Sequence, residues 1–141
     1  MTQEDKQLLV KDLCARLLYG VIVNAQYKDG EGWKTEDRKI LGIYEDGQVY
    51  LDCVYTTIDC IKPYLRPMSS MTREEKAELK AITDEFGDNW LEATTLEERW
   101  KYTFLNSSNE IDWLNAHHFD YRGLIEKDLA LEALEGMYDI K

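Results

Sequence analysis

The feature that most constrains the fold is a change of hydrophobic period near Gly20. Upstream, Leu9, Leu13 and Leu17 recur at spacing four, flanked by Val10, Cys14 and Leu18, as on the apolar stripe of an amphipathic helix. Thr2 with Asp5 has the form of a capping box, and Gly20 is the residue type that ends helices. Downstream the apolar residues run in extended segments. "GVIVNAQY" reads as a strand, "KDGEGWKTED" as a polar loop, and "RKILGIY" and "QVYLDCVY" as a hairpin about Asp46-Gly47. In the second arm Val49, Leu51, Cys53 and Tyr55 alternate with Tyr50, Asp52 and Val54. "TTIDCIKPY" adds a short strand ending at Pro63, which has no N–H to give to a ladder. One helix followed by four short antiparallel strands predicts a small curled sheet or an SH3-like barrel.

"KPYLRPMSSMT" breaks this pattern: Pro63 and Pro67 bar regular structure, and Ser69, Ser70 and Thr72 offer capping oxygens. Beyond it the pattern turns helical. Thr72 with Glu75, Thr95 with Glu98 and Ser107 with Glu110 each have the spacing of a capping box. Apolar residues follow at helical spacing, as in Leu79, Ile82 and Phe86, then Leu96, Trp100 and Phe104. Gly87-Asp88-Asn89 and Asn106–Asn109 break the run, Asn109–His118 forms a further helix, and Asp120 caps a last one, "YRGLIEKDLALEAL". The expectation is one α+β domain over residues 1–141, with a helix and a small β-sheet in 1–66 and a region of short helices in 67–141, around one core.

Charge narrows the functions open to this chain. The net charge is −11, and it is uneven: residues 1–66 carry 9 Lys/Arg against 11 Asp/Glu, and residues 67–141 carry 8 against 17. An acidic half repels phosphate backbones, so direct nucleic-acid binding is not expected. The acidic, amphipathic start lacks the basic end and apolar centre of a signal peptide, and no apolar run approaches a membrane span, so the expected location is the cytoplasm. Cys14, Cys53 and Cys60 are odd in number and without CxxC spacing, which implies neither a disulfide framework nor a zinc knuckle. Their expected role is as small buried hydrophobes.

Candidate functional residues concentrate in "WLNAHHFDYRGLI". Trp113, His117, His118, Asp120, Tyr121 and Arg122 fall within ten residues of one another. On a helix His117 and His118 point to different faces, whereas His117 shares one with Trp113. Two histidines that diverge cannot clamp one metal ion, and HExxH and its relatives are missing, so neither metal nor cofactor is expected. A His beside an Asp is the minimum for a tuned general base, but no nucleophile motif accompanies it. The same residues also make a well-packed helix end, with His and Arg bonding backbone carbonyls and Arg122 pairing with a carboxylate. Trp33, among Gly, Glu, Lys and Thr, is either a lid on the sheet or an exposed anchor.

The motifs "KPYLRPMSSMT" and "WLNAHHFDYRGLIEKDLALEALEGMY" resemble a family of small uncharacterised proteins of gut Bacteroides, their phages and prophages. The likeness covers about residues 8–23 and 60–138. That family usually has glycine at Asp128 and often proline at Leu134, departures expected to lengthen the last helix here. The resemblance carries no activity with it and implies only a setting of bacterial cytoplasm and accessory genes. Three functions follow as expectations. The first is a non-enzymatic accessory protein that binds a basic host protein through its acidic helical half and the Trp113–Arg122 surface, with nucleic-acid mimicry as its sharpest form. The second is a binder of a nucleotide-like molecule, which needs Arg122, Arg66 and Lys62 to converge near His117, His118 and Tyr121. The third is a hydrolase using His117 or His118 with Asp120.

Overall fold

A computed structural model describes residues 1–52, 54–82 and 108–138. The first element is helix α1, Gln3–Arg16. Its capping box forms as expected: Asp5 N–H donates to Thr2 Oγ1 at 3.0 Å and Thr2 N–H to the Asp5 carboxylate at 3.3 Å. A 3₁₀ turn, Leu17–Tyr19, follows, and Gly20 closes it at φ 75°, a left-handed conformation that a Cβ would strain. The buried face is Leu9, Asp12, Leu13 and Arg16, rather than a stripe that includes Cys14 and Leu18. Cys14 is exposed and Leu18 is 95% exposed. The apolar face is rotated because an ion pair, Asp12 with Arg16, takes the inward positions. Cys60 is only half-buried, so neither described cysteine is the buried hydrophobe expected. Cys53 lies outside the described residues.

Among the described residues the strands make two sheets, not a closed barrel. The larger has order β2-β1-β6-β7, with β1 Ile22–Asp29, β2 Gly32–Lys39, β6 Ile61–Leu65 and β7 Leu131–Glu132. The smaller is β3 Gly42–Ile43, β4 Gln48–Tyr50 and β5 Tyr55–Thr57. The Asp46-Gly47 hairpin forms between β3 and β4, with Gly47 at φ 87° and Asp46 accepting from Gln48 N–H. The segment expected as a polar loop is mostly strand: Gly30-Glu31 is a two-residue turn, and β2 pairs residue by residue with β1 from Gly32 to Lys39. Its polarity reflects an edge strand wet on both faces, not a loop. The fourth expected strand does not stop at Pro63, since β6 continues to Leu65.

In the second half, α2 spans Arg73–Ile82 and α3 spans Ser108–Ala116. The Thr72–Glu75 capping box is present in both directions, at 2.9 and 3.1 Å. The Thr95–Glu98 box, Ser107 of the third box, the helix break at 87–89, residues 106–107 of the break expected at Asn106–Asn109, and Phe86, Leu96, Trp100 and Phe104 lie outside the described residues, whereas Ser108 and Asn109, expected in that break, begin α3. No helix among the described residues is long and apolar enough to cross a membrane.

The last expected helix does not form. From Asp120 the chain makes turns and then the short strand β7, which joins β6 in parallel. Leu129 N–H donates to Leu124 O at 3.0 Å and Asp128 N–H to Ile125 O at 3.1 Å, with Asp128 at φ 60°. That is a Schellman closure, and Asp128 holds the left-handed position favoured by glycine. Asp128 therefore ends the helical turn instead of prolonging a helix. Leu124, Leu129 and Ala130 pack in the core with Leu9, Leu13, Val23 and Leu65, so the chain's end completes the core begun by α1. A smaller cluster holds Met68, Met71, Leu79, Leu114 and Phe119.

A regular helix through residue 128 would make Asp128→Ala more stable than Asp128→Gly. The left-handed closure reverses the order, with the glycine variant the more stable by about 1 kcal/mol in urea denaturation.

Candidate functional site

The second Schellman closure ends α3. Phe119 N–H reaches Leu114 O at 3.0 Å, His118 N–H reaches Asn115 O at 3.1 Å, and His118 sits at φ 63°. The turn is locked to the β-sheet side by Arg66, whose N–H donates to His118 O at 2.7 Å and whose carbonyl accepts from Asp120 N–H at 2.8 Å. His118 is buried, and its ring stacks on Tyr138 at 3.6 Å between centroids and 12° between planes. Tyr138 in turn takes Ile22 N–H at 2.9 Å and donates to Tyr64 O at 2.7 Å. Burial raises the Tyr138 hydroxyl to about 12.

Beneath this turn lies a buried charge network. Arg16, fully buried, donates twice to the Asp12 carboxylate at 2.8 and 3.1 Å and once to Phe119 O at 2.6 Å. Arg122 Nε reaches the same carboxylate at 3.1 Å. Both guanidiniums lie over the Tyr121 ring, at 5.1 and 5.0 Å, and Tyr121 donates to Asn115 Oδ1 at 2.9 Å. Asp120 accepts from Leu124 and Ile125 N–H at 2.8 and 2.9 Å; burial raises its pKa against those two bonds. It caps a turn, as its position before the expected helix suggested.

The six candidates in this region thus divide. His118, Asp120, Tyr121 and Arg122 are committed to the joint between α1, the end of α3 and the sheet. No hydrogen bond joins His118 to Asp120: the buried His118 Nδ1 has no hydrogen-bond partner among the described residues, and the Asp120 oxygens take the N–H groups of Leu124 and Ile125. Nor do the cations needed for a phosphate converge as free groups: Arg122 is held by Asp12, Arg66 by Glu75 at 2.6 Å through two bonds, and Lys62 by Asp128 at 2.9 Å. Among the described residues no group of three His, Cys, Asp or Glu is placed to hold a metal ion.

Trp113 and His117 face outward into an open groove of about 1160 Å³. Their rings stack at 4.0 Å, and Trp113 also lies against Phe119 at 5.8 Å. His117 Nδ1 is 2.8 Å from Trp113 O, an acceptor, so the neutral ring carries its proton on Nδ1. Nε2 is then left towards Glu78, 3.8 Å away, which also takes the Trp113 indole N–H at 3.2 Å. Across the groove runs the final segment, Glu132–Gly136 and Tyr138. Its floor includes Arg66, Pro67 and Ser69. Burial pushes the Glu75 carboxyl up, but the Arg66 guanidinium and Thr72 outweigh this and hold it at about 2. A second groove of about 480 Å³, lined in part by Asp120, Tyr121, Arg122 and Glu126, shares Pro67, Ser69 and Glu132 with the first.

The groove's walls carry Glu75, Glu78, Glu132 and Glu135 against Arg66, a formal −3 with His117 neutral. Among the described residues Glu132 and Glu135 have no ion-pair partner. The sequence does not single out these two, because Glu132 would sit on the solvated face of the expected last helix and Glu135 just beyond its end. Asp12 and Arg16 were also passed over. Their signal was available: they occupy positions three and seven beyond Leu9, the buried repeat of an amphipathic helix. Trp33 is 65% exposed near the tip of the β1–β2 hairpin and lines neither groove.

No protein-family model, curated protein or solved structure matches the chain.

Burial, helped by the positive charges of Arg16 and Arg66, lowers the His118 pKa from 6.5 to about 4. The unfolded chain takes up that proton more readily, so His118's contribution to stability is full above pH 6.5 and lost as pH falls towards 4. Asp120, whose pKa is raised above 3.8, acts in the opposite sense, adding stability as pH falls through its raised value, and the Glu75–Arg66 pair weakens only below about 4.5. Thermal unfolding between pH 6.5 and 4.5 is therefore expected to show falling stability. His118→Phe, which keeps a ring against Tyr138, should flatten that slope, whereas an unchanged slope would place the titrating group elsewhere.

Proposed function

We propose that this chain is a non-enzymatic accessory protein, of phage or prophage origin and cytoplasmic, that binds a basic segment of a host protein in the groove between Trp113, His117 and the final segment. The observation that carries this reading is the combination of surplus carboxylates, Glu132 and Glu135, with a stacked, half-buried aromatic pair that lines the same groove. Carboxylates steer a cationic partner and set its register, and aromatic faces give it contact area and cation–π attraction. The setting comes from the resemblance of the two sequence motifs, and the acidic second half agrees with a partner of positive charge.

Nucleic-acid mimicry is one form of this reading, since a protein that binds phosphates would meet a row of carboxylates instead. Catalysis draws no support from the joint, where His118 and Asp120 are occupied structurally. A nucleotide-like ligand draws none either, because each expected cation is already paired with a carboxylate, Arg66 with Glu75, Lys62 with Asp128, and Arg122 with the Asp12 it shares with Arg16.

Calorimetric titration with a lysine- and arginine-rich peptide tests the proposal. Binding should weaken as salt is raised through the range where the Debye length falls well below 10 Å. The double variant Glu132→Gln/Glu135→Gln should bind about tenfold more weakly, the sum of two partly exposed charge contacts of about 0.7 kcal/mol each. Binding of ATP in preference to the basic peptide, or peptide binding indifferent to both substitutions, would contradict it.

A further inference from the structure

The longest strand pair of the protein ends in an open edge. Among the described residues β2 has β1 on one side and no strand on the other, and its eight residues are exposed or half-buried on both faces. In a two-residue hairpin the closing pair, here Asp29 and Gly32, exchanges both bonds, so the even-numbered residues of β2 bond to β1. Ile40 N–H donating to Val21 O at 3.0 Å continues that parity. The backbone groups of Trp33, Thr35, Asp37 and Lys39 consequently point away from β1 and are free to pair with another strand.

We infer that this edge pairs antiparallel with the same edge of a second copy of this chain, about a two-fold axis at Thr35. Charge decides both the occupant and the register. A two-fold axis places each residue opposite its mirror position along the strand. Centred on Lys34 or Asp37, it sets that charge against itself. Centred on Glu36, it sets Glu36 against itself and Lys34 against Arg38. Centred on Thr35, it puts Lys34 opposite Glu36 twice, Trp33 opposite Asp37, and no like charges opposite one another. Opposite-charge pairs directly across an antiparallel ladder are favourable and like-charge pairs are not. Thr35 is also an outward-bonding residue, so this centre matches the free backbone groups as well as the charges. The exposed Trp33 then gains a neighbour: it stands diagonal to Lys39 of the second copy, within reach of a cation–π contact. Charged side chains usually protect an open edge. Here they protect it against other strands while matching its own sequence.

Pairing through β2 leaves the acidic groove of each copy free, because no β2 residue lines it. The dimer therefore presents two grooves to a partner.

Sedimentation equilibrium over a hundredfold range of protein concentration tests the inference. The natural chain should show a monomer–dimer equilibrium. Lys34→Glu should shift its dissociation constant at least tenfold weaker, and Lys34→Glu/Glu36→Lys, which exchanges the two charges, should restore it. Thr35→Pro, which removes an outward N–H without touching the β1–β2 ladder, should leave a folded monomer by circular dichroism. A chain that stays monomeric throughout, or a dimer indifferent to the charge reversal and its exchange, would overturn the proposal. Either result leaves the groove reading standing.

Discussion

Arg16 is the residue on which the rest of the structure depends. It is buried completely on α1, yet it reaches 103 positions along the chain to hold Phe119 O. A guanidinium taken out of water must be paired and hydrogen-bonded, or the fold loses several kcal/mol. Asp12 neutralises it, Arg122 completes the carboxylate's bonding, and Tyr121 lies beneath both cations. The first helix and the irregular chain after α3 are therefore joined by directional bonds, where apolar packing alone would leave their relative register loose. The surplus of one cation over Asp12 also explains why a second carboxylate, Asp120, is tolerated nearby.

That joint explains the appearance of an active site in the sequence. A cluster of His, Asp, Tyr and Arg looks catalytic because those residues do chemistry when they are free. Here they are occupied. His118 supplies a left-handed cap and a face for Tyr138, Asp120 ties two backbone amides, and Arg122 shares a carboxylate with Arg16. What lines the open groove is a different set: half-buried Trp113 and His117, with Glu78 of α2 and the exposed Glu132 and Glu135 of the final segment. The groove they form combines aromatic area with unbalanced negative charge, and on that combination the proposed recognition of a basic partner rests.

Much of the fold was legible because local rules were sufficient. The Thr2–Asp5 and Thr72–Glu75 boxes, the Asp46-Gly47 turn and the stop at Gly20 each depend on a few adjacent residues. The errors arose where distant contacts overrode local preference. "YRGLIEKDLALEAL" has helical composition, but Leu131 and Glu132 find a ladder partner in β6 and Asp128 turns the chain left-handed first. "KDGEGWKTED" reads as loop by composition, yet β1 offers it a complete partner. The stripe of α1 was misplaced by one position because charges were assumed to face water. Of the candidate site, Trp113 and His117 were readable from their helical spacing. The opposing glutamates were not, since their place depends on the tertiary path of the chain's end.

Hydrogen exchange on Arg16→Met tests the role of the joint most directly. Methionine fills a similar volume without charge and leaves Asp12 paired with Arg122. The account predicts that protection falls first at the amides of Leu124, Ile125 and Leu129, in the turn that Arg16 holds through Phe119, while the β1–β2 ladder keeps its protection. Uniform loss across the chain, or no change at those three amides, would contradict it.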